Sequence, residues 1–266
     1  MPQPKRLNKL LADNRSASAR RFEVLAKADT DEAEIFLYDA IVSSQEEADW
    51  WGGVAPESFV KALRGIDASV IHLRINSPGG SVFAARAMEQ ALRDHKARIV
   101  VHIDGLAASA ATFIAMAGDE VIMAKGALFM IHKAWTIAWG NSDDLAKEAA
   151  LLEKIDGTLA DTYAERTGKD KAVIAEWMAA ETWFTADEAL AEGFATSIAE
   201  SAVKAGWNLS AYANAPTPLA EPAPVEQPAA ALAAPAAAAS NESDFTTPEH
   251  RDRLAKRLAM SSRLRQ

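Results

Sequence analysis

Cysteine is missing from all 266 residues, which excludes disulfides, thiolate metal sites and a cysteine nucleophile. Long apolar runs are missing as well. No window approaches the roughly 18 apolar residues of a membrane helix, and Asp119 and Glu120 interrupt the most apolar stretch, residues 106–135. Excess positive charge is lacking: the formal charge is −9, which argues against general affinity for nucleic acid or an anionic membrane. The basic N-terminus has no unbroken apolar stretch of the kind a secretory signal needs. Neither G-x-x-x-x-G-K-[ST] nor G-x-G-x-x-G occurs, so no phosphate-cradling loop is indicated. From these absences a soluble, cytoplasmic protein with no membrane or nucleic-acid partner is expected.

What is present supports one sizeable core, since 49% of the residues are hydrophobic. Residues 1–30 are polar and basic with little periodicity, and are expected to form a flexible arm. Residues 34–38 begin the first strand. Residues 56–64 have helical spacing, with Phe59, Val60 and Leu63 on one face. The β-branched run 69–75 predicts a strand that stops at the turn signal Asn76-Ser77-Pro78-Gly79-Gly80. Helix 84–95, strand 98–103, helix 109–117, strands 120–123 and 128–132, and a long helix over 141–166 follow. Strands alternating with helices imply an α/β domain with mostly parallel pairing over residues 31–200. Beyond it, 201–245 is an alanine- and proline-rich linker, because frequent proline forbids a continuous helix. Residues 246–266 suggest a short basic helical tail with Leu254 and Leu258 one turn apart.

Three segments carry candidate chemistry. Ser109 lies in Gly105-Leu106-Ala107-Ala108-Ser109-Ala110-Ala111, where a glycine turn and small residues would put a hydroxyl at a helix start after a strand. It is open to reading as a nucleophile or as an N-cap beside a tight helix crossing. His132 ends the apolar run 127–131 and enters a loop, where sites collect, whereas His72 and His102 lie within strands and His95 and His250 in polar settings. It is either a general base or a satisfied structural histidine. Gly79-Gly80 could bring a bare backbone N–H to a ligand, or could simply form a tight turn.

Together, Ile75-Asn76-Ser77-Pro78-Gly79-Gly80-Ser81, Gly105-Leu106-Ala107-Ala108-Ser109 and Met130-Ile131-His132 resemble the three signature blocks of ClpP-type serine peptidases, in the family's order and with similar gaps. The resemblance runs from about residue 34 to 199. It implies a ClpP/crotonase-like α/β fold of repeated β-β-α units with a protruding handle helix. It also implies Ser109 as nucleophile, His132 as general base, and the N–H groups of Gly80 and Ala110 as oxyanion donors, with Gly79 and Ser81 against the substrate. The family usually has aspartate just before the segment matching Thr182-Trp183-Phe184-Thr185-Ala186. Glu181 stands there, so it is the expected triad acid, with Asp187 and Asp161 as fallbacks. No cofactor or metal is implied.

Trp50-Trp51-Gly52, Met116-Ala117-Gly118-Asp119-Glu120 and Ala180-Glu181-Thr182-Trp183 resemble most the phage and prophage branch, the head maturation proteases. That branch implies capsid scaffold or prohead proteins as substrates, a homo-oligomeric ring, and the host cytoplasm as location. The N-terminal arm differs from the segment that ATPase-partnered members use, which puts an ATPase partner in doubt. Lys133-Ala134-Trp135 replaces the usual glutamine–proline pair after the histidine, implying a differently shaped groove. Three rivals stand beside this reading: a catalytically lapsed ClpP-shaped assembly component, a crotonase-type acyl-CoA enzyme, and a Ser–Lys peptidase using Lys125 or Lys133.

Overall fold

The computed structural model describes residues 6–14, 20–26, 30–200 and 206–216. In chain order the elements are α1 (Arg6–Asp13), β1 (Arg21–Ala26), β2 (Glu32–Tyr38), α2 (Gln45–Trp51), α3 (Pro56–Arg64), β3 (Val70–Ser77), α4 (Val82–Arg93) and β4 (Arg98–Ala108). There follow α5 (Ala110–Met116), β5 (Glu120–Ala124), β6 (Leu128–Ile131), α6 (Ser142–Thr167), α7 (Lys171–Ala179), β7 (Thr182–Thr185), α8 (Ala186–Ala191) and β8 (Ser197–Ala199).

The strands make one sheet in the order β1-β2-β3-β4-β5-β8, with β6 and β7 branching from β4. From β2 to β8 the neighbours are parallel; β1 pairs antiparallel with β2, and β7 with β6. The alternation in β3 explains its seat: Ile71, Leu73 and Ile75 are fully buried in the core, while His72 and Arg74 face the other side. Helices α3, α4 and α5 cover the core face. Phe59 and Leu63, one turn apart on α3, are buried there, as are Ala85, Met88 and Leu92 of α4. The fold is the expected mixed α/β one.

The longest strand, β4, organises the site. Its first half pairs with β5 from Val100 to Ile103, and its last residues pair with β6, Leu106 opposite Leu128 and Ala108 opposite Met130. The switch falls at Asp104-Gly105. The expected glycine turn at Gly105 is therefore absent: the glycine lies inside a continuous strand where one neighbour gives way to another. The sheet forks at this point, and the chain leaving β4 emerges between β3 and β6.

Helix α6 is 26 residues long, about 39 Å at 1.5 Å per residue. Its N-terminus carries a reciprocal capping box between Asn141 and Asp144. Only Leu159, Ala160 and Tyr163, near its C-terminal end, are buried; Leu145 and Leu151 are exposed, as is Trp139 just before it. The first half of the helix thus projects from the domain.

Two expected boundaries are corrected. The flexible arm 1–30 contains α1 and β1. In β1, Phe22 and Val24 alternate with Arg21 and Glu23, so a short amphipathic strand completes the sheet edge, with Phe22 and Val24 packed on the core. Leu11 of α1 packs with Ala40, Val42 and Ala55. At the other end, the expected linker 201–245 begins too early. Residues 206–216 return to the domain, with Trp207 buried against Leu106, Ala108 and Met130. The remaining linker residues and the basic tail 246–266 lie outside the described residues.

Candidate active site

Ser109 sits directly after β4, at the N-cap of α5, with φ 53° and ψ −125°. An L-residue enters that backbone region at a cost of order 1–3 kcal/mol, so the surrounding structure must enforce it. Two contacts do so: the Ser109 N–H donates to the Met130 carbonyl at 2.8 Å, and the Ser109 carbonyl accepts from the Thr112 N–H at 2.9 Å. Ala107, Ala108, Ala110 and Ala111 are all fully buried, and their small size is what allows strand and helix to meet so closely. Beneath them the Thr112 hydroxyl hydrogen-bonds the hydroxyl of Tyr163, tying α5 to the buried end of α6. Burial pushes the Tyr163 phenol well above its ordinary pKa, so it remains neutral.

Pairing of β6 with the end of β4 brings His132, the residue after β6, to the serine. His132 Nε2 is 2.7 Å from Ser109 Oγ. Its side chain is 8% exposed, so bulk water has little access to it. On its other side, Nδ1 faces Glu181 Oε2 at 4.0 Å. Glu181 is also buried, and its backbone is left-handed at φ 51°. That turn, between α7 and β7, directs its side chain inward. With Nδ1–H towards the carboxylate, Nε2 presents its lone pair to the hydroxyl, the tautomer that a general base requires.

The two fallback carboxylates lie elsewhere. Asp161 is exposed and pairs with Lys171 at 2.6 Å; Asp187 is exposed in the first turn of α8. The lysines of the Ser–Lys alternative are exposed too, Lys125 lying 3.7 Å from Glu200.

The turn after β3 closes the site from a third side. A Cβ on Gly79 would lie 2.4 Å from the Ala108 carbonyl oxygen and 2.9 Å from the Ala110 nitrogen, so this glycine abuts the nucleophile segment. Gly80 has φ 149°, and a Cβ there would lie 1.9 Å from the Ile41 carbonyl oxygen. The parallel bridge to Ile41 uses the Gly79 carbonyl and the Ser81 N–H, both at 2.9 Å. The Gly80 N–H consequently points away from Ile41, as alternation along an extended chain requires. Ala110 is the first residue of α5, where N–H groups have no intrahelical acceptor. The Ser81 hydroxyl, expected against substrate, accepts from the Ala84 N–H at 3.4 Å as the N-cap of α4. Ser77 stabilises the turn from below: its buried hydroxyl donates to the Asp39 carbonyl at 2.6 Å and accepts from the Gly79 N–H at 3.2 Å.

Residues that sequence reasoning missed lie in 206–216. The ring of Tyr212 stands edge-on to His132, with centroids 5.6 Å apart, and its hydroxyl donates to the Pro78 carbonyl. The Asn214 N–H donates to Glu181 Oε1 at 2.7 Å. The signal was Trp207, Leu209 and Tyr212, three bulky apolar residues just ahead of the alanine–proline run. Among the described residues no group of three or more His, Asp or Glu is arranged to hold a metal ion.

A family model described as Clp protease matches residues 56–202, a span that holds all three segments of this site. The chain belongs to the Clp protease family. Its members are serine endopeptidases, and this chain is one by descent. It is 34% identical over 132 residues to the ATP-dependent Clp protease proteolytic subunit of Leuconostoc citreum, a match covering 48% of this chain and 66% of that protein. It is 33% identical over 143 residues to proteolytic subunit 2 of Rhodococcus jostii, covering 51% and 71%. The alignments thus span about two thirds of those relatives' own length. Among solved structures, a ClpP1 mutant from Listeria monocytogenes superposes with a TM-score of 0.55 at 22% identity, over 63% of this Clp protease and 91% of that chain, a likeness of fold. No helix among the described residues of the Clp protease is long and apolar enough to cross a membrane.

Proposed function

We propose that this chain hydrolyses peptide bonds through a Ser109–His132–Glu181 triad and an acyl-enzyme. His132 Nε2 takes the Ser109 proton as Oγ attacks the scissile carbonyl. The N–H groups of Gly80 and Ala110 donate to the tetrahedral oxyanion. His132 then gives its proton to the departing amine, leaving an ester on Ser109. A water molecule deprotonated by His132 attacks that ester and restores the serine. Glu181 stabilises the imidazolium formed in both halves. The observation that carries the reading is the 2.7 Å contact between Ser109 Oγ and His132 Nε2, made by a serine in a backbone conformation it would not adopt freely.

The finer reading is a protease of capsid scaffold or prohead proteins, working in a homo-oligomeric ring. The Trp50-Trp51-Gly52 and Ala180-Glu181-Thr182-Trp183 segments support the substrate class. The exposed first half of α6, with Leu145 and Leu151, supports subunit contacts. The test is co-expression with candidate scaffold and capsid proteins, with mass spectrometry of the products and labelling by a fluorophosphonate probe. Wild type should be labelled and should yield defined fragments, and Ser109→Ala should do neither. Cleavage that persists unchanged in Ser109→Ala overturns the peptidase assignment; cleavage of other proteins but not of scaffold overturns only the substrate class.

A further inference from the structure

Residues 206–216 touch three separate parts of the site. Tyr212 meets the base through its ring and the Gly79–Gly80 turn through its hydroxyl, which donates to the Pro78 carbonyl. Asn214 meets the acid, its N–H donating to Glu181 Oε1 at 2.7 Å while its side-chain amide donates to the Ala180 carbonyl at 2.8 Å. The segment is itself anchored. The buried indole N–H of Trp207 donates to both the carbonyl and side-chain oxygens of Asn76, at 3.2 Å each. Asn208 and Asn14 exchange a pair of hydrogen bonds at 2.6 and 2.9 Å, which fastens the segment to the end of α1. Tyr212 also stands edge-on to Trp183 of β7, centroids 5.8 Å apart.

The geometry points to residues 206–216 as a strap that positions the His132–Glu181 pair, with Tyr212 and Asn214 as its positioning residues. The inference rests on the triad reading and adds to it a dependence on a segment beyond the family-matched residues 56–202. The physical reason lies in Glu181. Its carboxylate has two oxygens and one task, to stabilise and orient an imidazole 4.0 Å away. The Asn214 N–H holds Oε1, which fixes the rotation of the carboxylate and leaves Oε2 towards Nδ1. The Tyr212 ring in turn limits the tilt of the imidazole and excludes water from its edge. Because the same tyrosine bonds to Pro78, base and oxyanion turn share one support. Small displacements of such groups are costly: about 1 Å of misplacement can remove a hundredfold in rate.

The test compares full-length Tyr212→Ala, Tyr212→Phe and Asn214→Pro with wild type, reading the rate of Ser109 modification by a fluorophosphonate probe split into its limiting rate and its half-saturation concentration. Tyr212→Ala should lower the limiting rate by about ten- to a hundredfold with half-saturation within about twofold, the mark of lost positioning rather than lost binding. Tyr212→Phe keeps the ring edge-on against His132 and should recover most of that rate. Asn214→Pro, at an exposed position, deletes the N–H to Glu181 and should lower the limiting rate with the thermal midpoint little changed. Wild-type limiting rates in Tyr212→Ala and Asn214→Pro would overturn the strap, and so would rates above wild type, which would make the segment a cover. A wild type that the probe does not label would instead sink the triad reading itself.

Discussion

Glu181 and Ser109 approach His132 from opposite sides, Oε2 at 4.0 Å from Nδ1 and Oγ at 2.7 Å from Nε2. A separation of 4.0 Å is an ion-pair distance, so the carboxylate acts on the imidazole through charge more than through one short hydrogen bond. Glu181→Gln keeps the volume and an oxygen for the Asn214 N–H but removes the charge. The expected result is a fall of about a hundredfold in kcat, smaller than that from Ser109→Ala, with KM nearly unchanged. Steady-state kinetics on a peptide cleaved by wild type checks it; an unchanged kcat would leave Ser109 and His132 working as a dyad.

Gly80 and Gly157 make a paired test of what a single methyl group does. At Gly80 it would meet the Ile41 carbonyl oxygen at 1.9 Å with φ at 149°, so the turn must move and carry its N–H with it. Gly80→Ala should lower kcat by roughly a hundred- to a thousandfold, the scale seen when one oxyanion donor is lost. At Gly157, inside α6, nothing lies within 4 Å of an added Cβ. Gly157→Ala should retain wild-type kcat and raise stability by up to about 1 kcal/mol. Parallel kinetics and denaturant titrations decide both, and equal activity losses in the two variants would argue against the role given to Gly80.

The β-branched run ending at Ile75, the apolar face of α3 with Phe59 and Leu63, and the order of strands and helices were legible because each is a local pattern that burial enforces. Ser109, His132 and Gly79-Gly80 each had a plain structural reading as a cap, a core histidine and a turn, and stood out only because their three segments together resemble the signature blocks of one family. What was illegible depends on partners far away in the chain. Gly105 signals a turn, yet it lies within β4 because β5 hands over to β6 there, an arrangement that no window around residue 105 contains. Phe22 and Val24 are too brief an alternation to outweigh the polar residues around them, and only the open edge of β2 makes them a strand. Trp207 to Asn214 has no periodicity at all. Its conformation is set by Asn14, Asn76, Pro78 and Glu181, and the neighbouring alanine–proline run pulled the expected linker across it.

On the face of the sheet opposite the helices, His72 Nδ1 and His102 Nε2 lie 2.9 Å apart, with Glu32 3.5 Å from the far nitrogen of His72. Burial, and then the positive charge of Arg74, lower the pKa of His102 below its ordinary 6.5, while Asp104 and Glu34 partly oppose them. A histidine depressed in the folded state takes up its proton more readily when unfolded. Its contribution to stability is therefore present above about pH 6.5 and is lost as pH falls towards the folded value. Wild type should lose stability between about pH 7.5 and 5.5, and His102→Gln should lose less over the same interval. Urea midpoints at the two pH values measure the difference; parallel losses in both proteins would show that His102 is not the group responsible.

Arg20 carries the last prediction, because it joins the first strand's entrance to the loop that supports Gly80. Its Nε donates to both oxygens of Asp39 at 3.0 Å, and the side chains are only 16% and 12% exposed. The same carboxylate accepts from the N–H groups of Ala40 at 2.7 Å and Gly53 at 3.2 Å. Two residues on, Ile41 forms the bridge to Gly80. Burial pushes the Asp39 carboxyl above its usual range, and Arg20 holds it down. Arg20→Ala leaves the anion buried without its cation, at an expected cost of about 2–4 kcal/mol near neutral pH. The sign of the pH dependence follows. With Arg20 gone the folded-state pKa of Asp39 rises further, so the penalty should shrink as the pH falls and the carboxyl takes up a proton. Adding Asp39→Asn to Arg20→Ala removes the charge but keeps an acceptor for the loop amides, and should recover most of the loss. Denaturant titrations of the three proteins at neutral and acidic pH test this; a double variant no more stable than Arg20→Ala would show that the pair's charge is not what holds the loop.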